Sequence, residues 1–167
     1  MFLSTYQASV PAFQKMLANL TVLLKKAEDH GLAKKIDPAV FLNARLAPDM
    51  FHLIRQVQIT ADIAKGACAR ISGIEIPAYE DNETTFAALY ARIDKTLAYI
   101  ATFTPAQMNG KETTDITITP GGKTFTFKGE EYLVNWVMPN FYFHVMACYA
   151  ILRHHGVDVG KMDYLGY

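Results

Sequence analysis

Hydrophobic periodicity predicts an all-α protein, an antiparallel four-helix bundle with a small β-hairpin inserted between its third and fourth helices. Two observations carry that prediction. Four long stretches repeat apolar residues at three- and four-residue spacing, as helices that bury one face do. Between the last two of them, over residues 114–127, the period drops to two, which is strand alternation. The connections are long enough for crossovers, and a bundle is the economical way to bury four apolar stripes.

The bulk properties bound the rest. The chain has 167 residues, 51% of them apolar, which suits one domain spanning 1–167 with a sizeable core. Sixteen basic residues balance sixteen acidic ones, so no net field favours nucleic acid or an anionic membrane. No apolar run approaches the ~20 residues that span a bilayer. The opening Met-Phe-Leu-Ser-Thr-Tyr-Gln lacks the basic region and cleavage site of a secretory signal. Cys68 and Cys148 sit alone on apolar faces as small hydrophobes; a disulfide is sterically conceivable, and reduced thiols are the expectation. These features point to a cytoplasmic protein with no nucleic-acid and no membrane partner.

Phe13, Met16, Leu17, Leu20, Leu23, Leu24 and Ala27 mark the first helix. Ser9 is its expected N-cap, Pro11 falls in its first turn, and Gly31 should end it just after an exposed His30. Residues 32–47 form a connector with a helical turn at 38–43. Pro48 and Asp49 then open the second helix, which runs to about Ile71. Its core face carries Met50, Leu53, Val57, Ala61, Ala64, Cys68 and Ile71. Arg55, Gln58, Asp62 and Lys65 point away from that core, most simply as a solvated salt-bridging face, otherwise as a second packed or subunit surface. Gln56 and Thr60 lie at the margin, and His52 slightly further out.

Residues 74–82 read as a loop over the bundle end. Asn82 is the expected cap of the third helix, with Glu83 at its positive terminus and Phe86, Leu89, Tyr90, Ile93, Leu97 and Ile100 inward. Thr104-Pro105 stops it. Ile116 and Ile118, the turn Pro120-Gly121-Gly122, then Phe125 and Phe127 make the hairpin. Its apolar face should lie on the bundle or on a second subunit, because a lone hairpin is marginal in water.

The last helix starts near Glu130 and is broken or kinked at Pro139. Its stripe is Leu133, Val137, Phe141, Val145, Cys148, Ile151 and Leu152, with His144 near the middle and Asn140 one turn earlier. A buried histidine and asparagine both need partners, because an unpaired polar group costs ~1–3 kcal/mol. His154, His155 and Gly156 form a C-terminal signature, and the tail docks on the bundle through Tyr164, Leu165 and Tyr167. Trp136, Phe141, Tyr142 and Phe143 read as packing residues. No glycine-rich phosphate loop, CxxC or nucleophile elbow is present.

Several stretches carry a family likeness across residues 6–166: Arg45-Leu-Ala-Pro-Asp-Met50, Arg55-Gln-Val-Gln-Ile-Thr-Ala-Asp62, Pro139-Asn-Phe-Tyr-Phe-His144, Tyr149-Ala-Ile-Leu-Arg153, His155-Gly-Val157 and Gly160-Lys-Met-Asp-Tyr-Leu-Gly166. With these the chain resembles the DinB/YfiT-like superfamily of predicted metalloenzymes, and within it an uncharacterised branch of unknown function. The resemblance implies a four-helix bundle, frequent dimers, and a divalent metal held by one histidine on the second helix and an HxxxH pair on the last. Some members are thiol-dependent transferases or isomerases. His144 matches the second histidine of that pair, and Asn140 stands where the first should be. The position on helix two falls near Gln56, with His52 as the other candidate.

One imidazole and two neutral amides make a poor catalytic zinc or nickel site, which normally has three strong protein ligands and an open position. The expectation is therefore a homodimer with a degraded metal site and no bound metal. Gln56, Asn140, His144 and Tyr149 would line a pocket for a small molecule. The alternative is a metal-dependent thiol transferase or isomerase, with His144, and secondarily His52, on zinc or nickel. A purely structural role for His144 is the third possibility.

Overall fold

The computed structural model describes residues 3–167 and is mostly helical, with a two-stranded antiparallel sheet. Met1 and Phe2, the first residues of the opening segment assessed for a secretory signal, lie outside the described residues. Helix α1 (Thr5–Lys34) starts earlier than expected because Ser4, not Ser9, caps it. Ser4 Oγ accepts from the Gln7 N–H at 3.3 Å, and Gln7 Oε1 accepts from the Ser4 N–H at 3.2 Å, which closes a capping box. Ser9 is instead buried and donates back to the Thr5 carbonyl at 2.6 Å. Gly31 does not end α1 either; the left-handed residue is Lys35, at φ 56°. Gly31 serves packing, since a Cβ there would lie 3.1 Å from the Phe41 ring.

Helix α2 (Pro38–Leu42) is capped by Asp37. Helix α3 (Leu53–Ser72) begins after His52 rather than at Pro48, and the Leu53 N–H is taken by the Ala44 carbonyl at 3.0 Å. Helix α4 (Phe86–Ile100) is capped by Thr85, whose Oγ1 accepts from the Ala88 N–H at 3.1 Å. Asn82 is engaged elsewhere, donating to Glu80 Oε2 at 2.9 Å. The Thr104-Pro105 stop is itself the start of a short helix, α5 (Pro105–Met108).

Strands β1 (Asp115–Ile118) and β2 (Phe125–Lys128) pair antiparallel, Ile116 opposite Phe127 and Ile118 opposite Phe125. Phe125 and Phe127 lie 5.7 and 5.8 Å from the Trp136 ring, so the hairpin packs on the segment that follows it. That segment is α6 (Gly129–Glu131), a π-helical turn over Tyr132–Val137, and α7 (Met138–His154), each continuing the last. The break expected at Pro139 thus takes the form of a widened turn ahead of it. Pro139 itself sits at the start of α7, where its missing N–H does least harm.

Gly129 is fixed by a close approach: a Cβ there would lie 2.1 Å from the Lys111 carbonyl oxygen. Gly129→Ala should cost about 1–3 kcal/mol by displacing that backbone. The check is a lower urea midpoint at an unchanged slope; a wild-type midpoint would contradict it.

Helix α3 lies against α7 and α4, and α1 against the same two, so these four long helices share one core. Phe13 of α1 meets Phe141 of α7 edge-on at 4.8 Å inside it. Cys68 and Cys148 are buried free thiols, and burial pushes the Cys68 thiol up to about 12. The tail docks on α1 through α8 (Lys161–Leu165), with Lys26 Nζ 2.6 Å from Asp163 and Asn19 Nδ2 donating to the Tyr164 carbonyl at 3.0 Å. Among the described residues, no helix is long and apolar enough to cross a membrane.

Candidate functional site

The first turn of α3 faces the middle of α7, and the polar residues of the two meet there. His144 Nδ1 lies 2.6 Å from Gln56 Oε1. Gln56 Nε2 donates to the Phe51 carbonyl at 3.0 Å, and a carbonyl takes only a donor, so the amide orientation is set. Oε1 then accepts from the imidazole, and Nδ1 must carry the proton. Nε2 keeps its lone pair.

No partner meets Nε2 among the described residues. It is also not among the sealed, unpartnered side-chain atoms, which are Ser72 Oγ, Arg92 Nε and Tyr99 Oη, so it reaches solvent. Gln56 is 1% exposed and His144 9%. Burial, and then the charge of Arg55, push the His144 imidazole down to about 4, so it is neutral at pH 7. Phe143 stands edge-on to the ring at 5.2 Å.

The other expected site residues are placed differently. Asn140 is half-buried one turn before His144, and no hydrogen bond joins the two among the described residues. Tyr149 packs edge-on against Tyr164 of α8 at 5.9 Å, apart from the Gln56–His144 pair. His52 is half-buried at the N-cap of α3 without a side-chain capping bond. Burial, then Arg45 and Arg55, lower its pKa.

The three-ligand set that the resemblance implies does not fit these residues. Gln56 Oε1 faces the Nδ1–H of His144 rather than its Nε2 lone pair, the atom that could take an ion. Among the described residues, no group of three or more His, Cys, Asp or Glu stands where it could hold an ion.

A second polar constellation corrects the expectation of a solvated face on α3. Gln58 and Lys65 are buried, because residues 79–83 of the connector lie along α3 and α4 rather than over the bundle end. Arg55 Nη1 donates to Gln58 Oε1 at 3.1 Å, and Gln58 Nε2 to Glu83 Oε2 at 2.8 Å. Arg92 Nη1 donates to Glu83 Oε1 at 2.9 Å, and Arg92 Nη2 pairs with Asp81 at 3.0 Å. Asp81 returns to Arg55 Nη1, so the five side chains close a ring. Asp62 adds bonds to Arg92 at 3.1 Å and to Lys65 at 2.9 Å. Lys65 and Lys95 sit 3.7 and 4.0 Å from the centre of the Tyr79 ring. The seven-residue spacing of Arg55 and Asp62 marked one stripe in the sequence, but nothing local announced that a loop would cover it.

The fold and site define a mostly helical protein with one neutral histidine held between two packed helices. A family model described as "Domain of unknown function (DUF1993)" matches residues 5–165. The chain belongs to that family. It is also similar to a solved structure, the crystal structure of a DinB family member protein from Shewanella denitrificans. That structure is 44% identical, with a TM-score of 0.91 over 97% of this chain and 92% of the other. No curated protein matches the chain.

Proposed function

We propose that the protein is a cytoplasmic, single-domain DinB-like four-helix bundle, antiparallel in the arrangement of α1, α3, α4 and α7. It works as a homodimer that holds a small polar molecule, without a bound metal, at Gln56 and His144. The observation that carries this reading is the 2.6 Å bond between those side chains, which turns Gln56 Oε1 to the Nδ1–H of the imidazole rather than to the Nε2 side where an ion would bind. Homodimer formation draws support from apolar side chains around the site that no other element covers. Phe143 is 56% exposed and Phe51 53%, with Tyr142 and Met146 exposed on the same helix as Phe143.

The second reading, a metal-dependent thiol transferase or isomerase using His144, has one observation in its favour: the unpartnered Nε2 is the atom that an ion would take. Metal content separates the two. Untagged protein, assayed by plasma mass spectrometry before and after incubation with zinc, nickel and manganese, should carry far less than one ion per chain. About one ion per chain, lost in His144→Ala, would overturn the metal-free reading. Sedimentation should give the mass of two chains for the wild type and of one for Phe143→Glu; a wild-type monomer would remove the homodimer.

A further inference from the structure

Two cavities, of about 500 and 520 Å³, already balance their own charge. In the one beside Tyr79, Arg92 meets three acids. In the one between α1 and α4, Lys25 and Lys26 are paired with Glu28, Asp29 and Asp163. A smaller cavity is different. About 210 Å³ in volume, it lies between the hairpin turn and the last turn of α3, lined by Arg70, Ile118, Thr119, Pro120 and Trp136. It is separate from the Gln56–His144 pair, because Arg70 lies about 21 Å further along α3 than Gln56 at 1.5 Å per residue.

The arginine of this cavity lacks a counter-charge. Its one side-chain hydrogen bond among the described residues goes from Nη1 to Tyr132 Oη at 3.1 Å, and no carboxylate pairs with it. Most of its N–H donors are therefore unused, and the residue is exposed, so a ligand can reach it. The group is also held in place. Its guanidinium lies back over the preceding turn of α3, where a Cβ at Gly66 would come within 2.6 Å of Nη1; the three atoms nearest such a Cβ all belong to Arg70. A helix C-terminus favours a cation, but that preference asks for neither the glycine nor the tyrosine hydroxyl.

The aromatic wall is built as firmly. Tyr132 and Trp136 stand four residues apart on the π-helical turn, a geometry frequent at functional sites. Phe127 packs against both, at 6.3 and 5.8 Å, and Phe125 lies 5.7 Å from Trp136. Tyr132 thus holds the cation through its hydroxyl and packs with Trp136 about one shared ring.

We infer that this crevice binds a small aromatic carboxylate, its carboxylate on the Arg70 guanidinium and its ring against Trp136, Ile118 and Pro120. The planar fork of a guanidinium matches the two oxygens of a carboxylate. A single cation balances a single negative charge, which favours a monoacid over a doubly charged phosphate ester. The volume is below the roughly 300–1,000 Å³ of pockets that hold drug-sized ligands, so the occupant is small.

Trp136 is the only tryptophan of the chain, so its fluorescence reports on this crevice. Benzoate, benzamide and acetate are titrated into the full chain and followed by that fluorescence and by calorimetry. Benzoate should change the emission saturably at or below millimolar concentration. Benzamide, which lacks the charge, should bind about tenfold or more weaker, and acetate, which lacks the ring, should also bind more weakly. Arg70→Gln should remove the advantage of benzoate over benzamide, and Arg70→Lys, which keeps the charge without the fork, should restore it only in part. Gly66→Ala displaces the guanidinium while suiting a helix interior, so it should weaken benzoate binding several-fold without loss of stability. Each variant is compared at matched circular dichroism, so that a folding defect is not taken for lost binding. The imidazole resonances of His144 should stay unmoved by benzoate. Equal affinities for benzoate and benzamide, no response at millimolar benzoate, or wild-type affinity in Arg70→Gln would overturn the inference. So would a benzoate effect on His144 with none on Trp136.

Discussion

Arg92→Ala is expected to lower the unfolding free energy by about 3–5 kcal/mol, the usual cost of removing one partner from a buried ion pair. The Arg92 side chain is 1% exposed, and among the described residues it is the only cation that meets Asp62, Asp81 and Glu83 together. Without it, Glu83 keeps only its bond to Gln58, and Asp81 only its bond to Arg55. The bonded residues 80–83 would lose their hold on α4, while α3 and α7 still pack. Urea unfolding measures the loss, and Arg92→Ala with Glu83→Gln should cost less than the sum of the two single changes. A loss below about 1 kcal/mol would place Arg92 among ordinary exposed pairs, whose worth is that small.

Glu83 adds a pH signature to the same ring. Burial raises its pKa, but the bonds from Arg92 and Gln58 overcome this and hold the carboxyl below its usual range. That stabilisation is complete above the unfolded carboxylate pKa of about 4.3 and disappears as the pH falls through the lower folded value.

His144 produces the second large effect, in a different pH window. Its folded pKa of about 4 lies below the ordinary 6.5, so between those values the unfolded chain binds the extra proton. Stability is therefore full above pH 6.5 and falls as the pH drops toward 4. The loss is on the order of 3 kcal/mol, because each pH unit crossed between the two values removes about 1.4 kcal/mol. Denaturation at a series of pH values should show this slope in the wild type and lose most of it in His144→Gln. A wild-type curve flat between pH 6.5 and 4.5 would mean that His144 titrates as an exposed imidazole.

The four long helices and the hairpin were legible because apolar spacing is a local property, although Met50 falls ahead of α3 and Tyr90 and Leu97 are only half-buried, and the short helices α5 and α8 carry no such spacing. Helix ends were less so. Ser4 competed with Ser9, and Thr85 with Asn82, and which side chain caps depends on where the others find partners. Gln56 and His144 were legible as polar residues on apolar faces of two helices. Asn140 and Tyr149 share α7 with His144, and only the packing of α3 and α8 decides that neither joins the pair. Nothing local signalled that residues 79–83 would cover Gln58 and Lys65, because those bonds join residues at least 14 positions apart, as from Lys65 to Tyr79.

The metal-free site and the acid sensitivity of the fold both depend on one state: a neutral His144 whose Nδ1–H is held by Gln56. Nitrogen NMR of the imidazole, on metal-free protein at pH 7 and again with excess zinc, reads that state itself. The expected spectrum has a protonated Nδ1 and an unprotonated Nε2, with both resonances unmoved by zinc and displaced in Gln56→Ala. An Nε2–H tautomer, or an Nε2 resonance that shifts on stoichiometric zinc, would refute it.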